Sequence, residues 1–248
     1  MGRYFLMTLS VVLLCCSCSV QQKRASEGVT PTVARVSDDN FRQYLLESGY
    51  VEPYKGSMKG FGLLVRRKEV VEVTPAGRSL SSLDCHNKGI KSLEGIELFG
   101  NLQVLICSEN PIRSIDLSLN LQLIQLYAIE VPLRSLDVSE NRALKILESS
   151  YSRLRSLDVS HNPELEELLC IFSPGIKTID LSGNPKLQTL YVRETSIHTI
   201  DLRHNHQFRM LHALDTPLEN IVITPQHDVD SFQASVEDGV RLIVEDCP

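Results

Sequence analysis

A 21-residue period that begins near residue 80 restricts the fold of this chain more than any other feature. Apolar residues recur there at spacings of 22, 21, 21, 21, 22 and 21 residues, at Leu80, Leu102, Leu123, Leu144, Leu165, Leu187 and Phe208. A unit of this size cannot bury its own apolar face, so neighbouring units stack and share one core. The repeat predicts a solenoid of about seven coils over residues 80–220.

Each unit holds two short segments with the alternation of apolar residues that is typical of β-strands. The second segment of a unit reads, for example, SLDVSHN at residues 156–162. In the first segment a leucine is followed two residues later by a cysteine or another small residue, and both face the core. The leucines are Leu83, Leu105, Leu126, Leu147, Leu168, Leu190 and Leu211, and the residues that follow them are Cys85, Cys107, Ala128, Ser149, Cys170, Val192 and Ala213. We name the surface built by the first segments the cysteine wall and the surface built by the second segments the return wall.

These segments resemble the leucine-rich repeat superfamily, and most closely its internalin-like bacterial subtype with cysteine in the strand. LSSLDC, LQVLIC and ELLC carry the first half, and SIDLSLN, SLDVSEN, SLDVSHN, TIDLSGN and TIDLRHN carry the second, within residues 80–223. KSLEGIELFGNLQ also looks like the segment that starts such arrays. The strand asparagine departs from the pattern: it is present at Asn110 and replaced by Lys88, Val131, Ser152, Ser173, Thr195 and Thr216.

The resemblance implies a curved leucine-rich repeat solenoid with a small helical N-terminal cap. It implies a parallel β-sheet on the concave side, formed by the cysteine wall, and short extended return segments on the convex side. It also implies a role in adhesion or surface recognition.

The outward-facing positions of the two walls differ in polarity. The return wall carries a basic column, Arg113, Arg134, Arg155, Lys177 and His198, beside an acidic column, Asp116, Asp137, Asp158, Asp180 and Asp201. Ten outward residues of the cysteine wall are apolar: Val104, Ile106, Tyr127, Ile129, Ile146, Leu169, Ile171, Tyr191, Met210 and Leu214. Large exposed apolar patches mark binding surfaces, so these ten residues are the predicted partner-binding site. Coverage by loops, caps or self-association is the alternative.

Charge and motif content argue against nucleic-acid binding, a metal site and catalysis. The formal net charge is −6, with 31 acidic and 25 basic residues, which supplies no positive field for phosphates. The acidic column could in principle align metal ligands, but the basic column beside it favours a structural role, with Asn120, Asn141, Asn162, Asn184 and Asn205 serving backbone groups at the corners. No cofactor or metal is expected.

Histidines give the remaining enzymatic alternatives. His204 and His206 near Asp201 lack the i,i+4 spacing of a zinc hydrolase, and nucleophile-elbow, phosphate-loop and dinucleotide motifs are missing from the sequence. His212 beside Glu167 and Tyr191 is the best candidate for a hydrolase on the concave face. The prediction is that the protein is not an enzyme.

Aromatic residues keep a second class of binding protein open. Tyr127, Tyr151, Phe172 and Tyr191 would permit stacking on sugar rings, so a glycan-capturing surface protein is the alternative to a protein-binding one.

The N-terminus predicts export and lipid attachment. The apolar run from Phe5 to Cys16 follows Arg3 and is too short to cross about 30 Å of hydrocarbon, so it is typical of a signal peptide. The sequence LLCCSCSV at residues 13–20, which overlaps the end of this run, resembles a bacterial lipobox. Cys18, after the small residue Ser17, is the predicted lipidation site, with Cys16 as the alternative. Residues 1–17 are then a cleaved signal peptide, and the protein is anchored by its lipid to a bacterial membrane, outside the cytoplasm.

Between the anchor and the repeats we expect a flexible tether over residues 18–35 and an N-terminal cap over residues 36–79. In the cap, Ser37 is the predicted N-cap of a helix that presents Phe41, Tyr44, Leu45 and Leu46 on one face and stops at Gly49. β-Branched segments follow at 63–65 and 70–73. Residues 221–248 are the predicted C-terminal cap.

The cysteines of the repeat are predicted to be free buried thiols. Cys107 and Cys170 are three coils apart, about 14 Å at the spacing of neighbouring strands, which no disulfide spans. Cys85 and Cys107 lie on adjacent coils, but parallel in-register Cβ bonds disfavour a bridge. Cys247 lies outside the repeat and is the candidate for pairing between molecules.

Overall fold

The computed structural model describes residues 32–58, 65–227 and 232–246. The predicted signal peptide, Cys16, Cys18, most of the predicted tether and Cys247 lie outside these ranges. No helix in the described ranges is both long and apolar enough to cross a membrane.

The N-terminal end of the solenoid is closed by a small three-stranded antiparallel sheet and one helix. The elements are β1 (Val33–Arg35), α1 (Asp39–Glu47), β2 (Val51–Pro53), a 3-10 turn (Arg67–Glu69), β3 (Val70–Val73) and the short helix α2 (Pro75–Arg78). β3 lies between β1 and β2. β1 therefore begins inside the stretch expected to be an unstructured tether, because its backbone completes the sheet beside β3.

Helix α1 starts one residue later than the sequence suggested. Asp38, not Ser37, is the N-cap: its carboxylate accepts a hydrogen bond of 2.8 Å from the amide of Phe41. Its second oxygen accepts one of 2.9 Å from the amide of Lys91, so the same side chain joins the cap to the first coil. The helix buries Phe41 and Leu45 against the repeat core and ends before Gly49, whose φ of 72° is the left-handed conformation expected there.

The cysteine wall is a parallel sheet of eight strands, which confirms the predicted solenoid. Its strands are β4 (Ser82–Asp84), β5 (Val104–Ile106), β6 (Gln125–Tyr127), β7 (Ile146–Glu148), β8 (Glu167–Leu169), β9 (Thr189–Tyr191), β11 (Met210–His212) and β13 (Gln233–Ser235). They lie in the order β13-β11-β9-β8-β7-β6-β5-β4. The central leucines pair in register from Leu83 to Leu211, and all seven have no exposed surface.

Strands on the return wall occur at the C-terminal end. They are β10 (Thr199–Asp201), β12 (Asn220–Ile223) and β14 (Arg241–Val244), all parallel and in the order β10-β12-β14. A 3-10 turn at Ile96–Leu98 occupies the return side of the first coil.

Residues 232–246, within the predicted C-terminal cap, continue both walls as an eighth coil. β13 pairs with β11, and β14 pairs with β12. The leucine pattern indicated about seven coils because Ala234 stands in this coil at the position that leucine takes in the coils before it, opposite Leu211.

Buried asparagines join the coils at the predicted corners. Each amide nitrogen donates to a main-chain carbonyl of the preceding coil, and from Asn141 onward one acceptor is the carbonyl of the preceding asparagine. These donor–acceptor distances fall between 2.7 and 3.1 Å. The asparagine ladder thus satisfies backbone carbonyls that the narrow core hides from water.

The aspartates of the acidic column stabilise turns of the return wall by accepting hydrogen bonds. Asp116, Asp137 and Asp158 each accept hydrogen bonds from the amide and hydroxyl of the serine two residues later, and Asp180 accepts from the amide of Ser182. The serine bonds lower the pKa of Asp137, Asp158 and Asp180. No ion pair joins this column to Arg113, Arg134, Arg155 or Lys177 in the described residues, so hydrogen bonds within each turn hold the aspartates.

Candidate functional site on the cysteine wall

Strand register places all ten predicted binding residues in three adjacent columns on the outer face of the cysteine wall. One column runs through Val104, Gln125, Ile146, Glu167, Thr189 and Met210, and the next through Ile106, Tyr127, Glu148, Leu169, Tyr191 and His212. The third follows the strands and contains Ile129, Ile171, Arg193 and Leu214, which are at least partly exposed, and the buried residues Ser108 and Ser150. The ten residues, scattered over more than 100 positions of sequence, therefore share one surface.

None of these ten side chains is buried. Leu214 is 37% exposed, and the other nine are partly exposed. The inward leucines between them are fully buried, so burial alternates along each strand as a one-sided sheet requires. The surface thus keeps apolar area in contact with water.

Two carboxylates stand among the apolar residues. Glu148 lies between Tyr127 and Leu169 on neighbouring strands, and Glu167 lies beside Ile146. Burial raises the pKa of Glu148. Burial also raises the pKa of Tyr127, and the carboxylates of Glu148 and Glu167 add to this effect. Within the described residues, neither the Glu148 nor the Glu167 carboxylate has a basic side chain within ion-pair distance. Both carboxylates can therefore accept a hydrogen bond from a ligand.

The structure does not assemble the predicted His212, Glu167 and Tyr191 group. The His212 ring stacks on Tyr191 with 4.3 Å between centroids and an interplanar angle of 10°. Glu167 lies on β8, whereas His212 lies on β11, with β9 between them. Because Glu167 is two strands away, it cannot orient the imidazole, so the hydrolase alternative lacks the acidic partner that the sequence suggested for it. Tyr191 donates its hydroxyl to the sulfur of Met210 instead, at 3.4 Å.

A column of left-handed residues at the edge of the cysteine wall was not foreseen from the sequence. One residue per coil has φ between 49° and 57°: Asn87, Glu109, Glu130, Tyr151, Phe172, Glu194 and Asp215. Bulky side chains rarely adopt this conformation, yet two members are aromatic. Tyr151 and Phe172 stack with centroids 4.5 Å apart, and Tyr151 is 49% exposed. The sequence analysis named both aromatics as candidates for stacking on sugars, but it did not predict that they lie side by side. A search for the turn position that recurs once per coil would have placed them next to each other.

Other candidate ligands for metals are engaged elsewhere. The Asp201 carboxylate binds the guanidinium of Arg203 at 2.7 Å, and the His206 ring packs 5.4 Å from that of His227. Among the described residues, no group of three His, Cys, Asp or Glu side chains is placed to hold a metal ion.

The cysteines of the wall face the core. Cys85, Cys107 and Cys170 are free thiols with no exposed surface, which confirms the prediction. Burial raises the pKa of Cys85 and Cys170 to about 12, and it also raises the pKa of Cys107. They act as small apolar residues rather than as nucleophiles.

No protein-family model matches the chain, and no curated protein matches it. Solved structures do. The functional domain of InlJ from Listeria monocytogenes, which includes a cysteine ladder, is similar with a TM-score of 0.52 and 24% identity, over 89% of this chain and 50% of that one. The present chain thus spans about half the length of that domain.

Two further internalins of Listeria monocytogenes have a similar architecture. Internalin C2 has a TM-score of 0.55 and 15% identity over 87% of this chain and 98% of that chain. The internalin InlF has a TM-score of 0.50 and 12% identity over 70% of this chain and 63% of that chain. These identities establish likeness of fold. The chain is a leucine-rich repeat solenoid with the architecture of the internalins.

Proposed function

We propose that this protein is a lipid-anchored, extracytoplasmic binding protein that recognises a protein partner through the outer face of its cysteine wall. The contrast between the two walls is the observation that carries the proposal. Ten partly exposed apolar side chains lie in three columns of one wall, while turn-forming aspartates and basic residues occupy the other. Neighbouring apolar side chains that stay in contact with water are typical of a binding site.

The composition of the wall favours a protein ligand. Aromatic and aliphatic side chains give the apolar centre that protein interfaces use, and Glu148 and Glu167 offer acceptors within it. The paired strands of the cysteine wall hold these side chains in place, so binding would cost little conformational entropy. The proposed role is recognition without catalysis, in keeping with the likeness to internalins.

In this proposal Cys18 carries the lipid, and the residues before β1 link the membrane to the solenoid. The lipobox-like sequence supports the anchor. A tethered solenoid can present its concave surface away from the membrane.

Photocross-linking in intact cells tests the binding surface. A photoreactive residue is introduced at Ile146, near the middle of the wall, and in a matched variant at Arg155, which is exposed on the return wall. We expect a discrete cross-linked product from the Ile146 position, lost when cells are shaved with protease. Equal or stronger cross-linking from the Arg155 position would mean that the return wall binds the partner.

The stacked pair of Tyr151 and Phe172 favours a second candidate, a glycan-binding surface protein. An exposed aromatic face beside the cysteine wall would stack on a sugar ring. Binding to a glycan array that is lost in Tyr151→Ala, with no protein cross-link from Ile146, would support this alternative. The reverse result would support the protein partner.

A further inference from the structure

Two glutamates stand without a partner in the middle of the apolar cysteine wall. Glu148 lies opposite Tyr127 on one neighbouring strand and opposite Leu169 on the other, and Glu167 lies opposite Ile146. In the part of the chain that the structure describes, neither carboxylate takes part in a hydrogen bond or an ion pair. A carboxylate that packs among apolar groups loses hydration, which costs free energy until a donor replaces the lost water. The raised pKa of Glu148 reflects this loss.

Basic side chains close to the wall are engaged elsewhere. Lys145, which precedes β7, binds Glu166 of the next coil at 2.8 Å. Arg193, in the third column of the wall, binds Asp215 of the next coil, also at 2.8 Å. Each of these cations thus has an acidic partner in the coil that follows it. The centre of the wall therefore carries two negative charges that the described residues do not balance.

Strand register sets the distance between the two glutamates. They come from the adjacent strands β7 and β8 and are offset by two positions along the strand. With about 4.8 Å between strands and a rise of about 3.3 Å per residue, their Cα atoms lie about 8 Å apart. A guanidinium, which carries five N–H donors in a planar fork, can donate to two carboxylates that converge from this separation.

Tyr127 belongs to the same place on the wall. It lies beside Glu148, and the carboxylates of Glu148 and Glu167 both act on its hydroxyl, since both raise the pKa of Tyr127. An aromatic ring is also a surface on which a guanidinium stacks. Two carboxylates and an aromatic ring thus surround one point of an apolar surface.

We propose that the partner of the cysteine wall inserts an arginine side chain between Glu148 and Glu167, against Tyr127, with apolar residues of the partner on either side. This inference rests on the proposed function and specifies the chemistry of the partner. The arginine supplies the donors that the wall lacks, and apolar contacts around it, for example to Ile146 and Leu169, exclude water from the ion pair. A neutral glycan would bring no charge to balance the two carboxylates.

Selection of peptides tests this charge requirement without a known partner. The full chain, extracted in detergent and immobilised, is exposed to a library of random peptides displayed on phage. Peptides that bind the cysteine wall are identified by weaker binding to Ile146→Ala combined with Ile171→Ala, a variant that removes apolar contacts and leaves the charge unchanged. We expect these peptides to contain arginine beside apolar residues more often than the unselected library does.

The outcome separates this inference from the proposed function. Wall-binding peptides without enrichment of arginine would overturn the inference and leave the proposed function standing. Equal enrichment of lysine and arginine would also overturn it, because a planar guanidinium would not be required. A complete lack of peptides that depend on the wall would count against the binding surface itself, and the inference would fall with it.

Removal of the two charges tests the position. Glu148→Gln combined with Glu167→Gln keeps the size of both side chains, so apolar peptides should still bind while the enrichment of arginine is lost. Glu140→Gln combined with Glu219→Gln is the matched control, because both residues are exposed, lie outside the cysteine wall and remove the same charge. An equal loss in the control would mean that the net charge of the protein, and not this site, selects arginine.

A recovered peptide gives a quantitative check. Replacement of its arginine by glutamine, and Glu148→Gln in the protein, should each raise the dissociation constant about tenfold. Both changes together should raise it little further, because they remove the same contact. Isothermal titration calorimetry measures the four combinations, and circular dichroism shows whether the variant is folded. Independent effects that multiply to about a hundredfold would contradict direct contact between the arginine and Glu148.

Discussion

The side-chain amide of Asn141 donates a hydrogen bond of 3.0 Å to the main-chain carbonyl of Asn120, 21 residues earlier in the chain. The same nitrogen donates to the carbonyl of Leu117 at 3.1 Å. One buried side chain thus satisfies two carbonyls of the preceding coil. Repetition of this contact at Asn162, Asn184 and Asn205 joins successive coils along the edge of the core.

We predict that Asn141→Ala lowers the free energy of unfolding by about 3 kcal/mol, because two buried carbonyls lose their donor. Urea denaturation followed by circular dichroism measures the change. Asn101→Ala is the matched control: Asn101 is exposed and makes one bond of 2.7 Å, to the carbonyl of Arg78, so its loss should cost less than about 1 kcal/mol. Equal costs for the two variants would contradict a structural role for the ladder.

The buried thiols predict a specific loss of stability at high pH. Burial raises the pKa of Cys170 from 9.0 to about 12, so between these values the unfolded chain loses the thiol proton while the folded chain keeps it. This thiol therefore contributes no penalty below pH 9, and it lowers the free energy of unfolding by about 1.4 kcal/mol per pH unit above it. The test compares the parent protein with Cys170→Ala from pH 8 to 11.

At pH 7 we expect Cys170→Ala to cost about 1 to 2 kcal/mol from lost burial, and the cost should shrink and then reverse as the pH rises. Ser149→Ala, at the equivalent position of the preceding coil, is the control with no titrating group. Thiol labelling adds a second check, since Cys85, Cys107 and Cys170 should react only after denaturation. A disulfide between Cys85 and Cys107, detected by mass spectrometry, would be inconsistent with the register of β4 and β5.

Charges placed on the cysteine wall should abolish partner capture without unfolding the protein. Ile106→Asp combined with Tyr127→Asp puts two carboxylates on adjacent strands at partly exposed positions, so the core stays packed while the interface gains unpaired charge. Capture from intact cells by cross-linking and pull-down measures the effect. Asp137→Ala with Asp158→Ala on the return wall is the control, and an equal loss there would mean that the wrong wall has been chosen.

Lipid attachment at Cys18 should determine where the protein resides. We expect Cys18→Ala to give an unprocessed or soluble form, because the acceptor thiol for the lipid is gone. Membrane fractionation and intact mass measure both outcomes, with Cys16→Ala as the matched variant. Unchanged fractionation and mass in Cys18→Ala would exclude this site, and loss of the lipid in Cys16→Ala alone would transfer it to Cys16.

Local sequence patterns predicted most of the fold. The 21-residue period predicted the solenoid, and the alternation within each unit predicted which leucines are buried, since a strand of known orientation fixes the face of every second residue. The ten outward apolar positions followed from the same alternation. The start of helix α1 did not follow from this alternation. Asp38 rather than Ser37 is the N-cap residue, and Asp38 also accepts a hydrogen bond from the amide of Lys91, a contact that only the folded chain creates.

The sequence by itself determined the repeat, the core columns and the polarity of the two walls, because these depend on patterns that recur within one coil or once per coil. Tertiary structure decided which outward residues become neighbours, since strand order and register set distances between coils. It separated Glu167 from His212, stacked Tyr151 on Phe172 at left-handed corners, and added an eighth coil in which Ala234 takes the place of leucine.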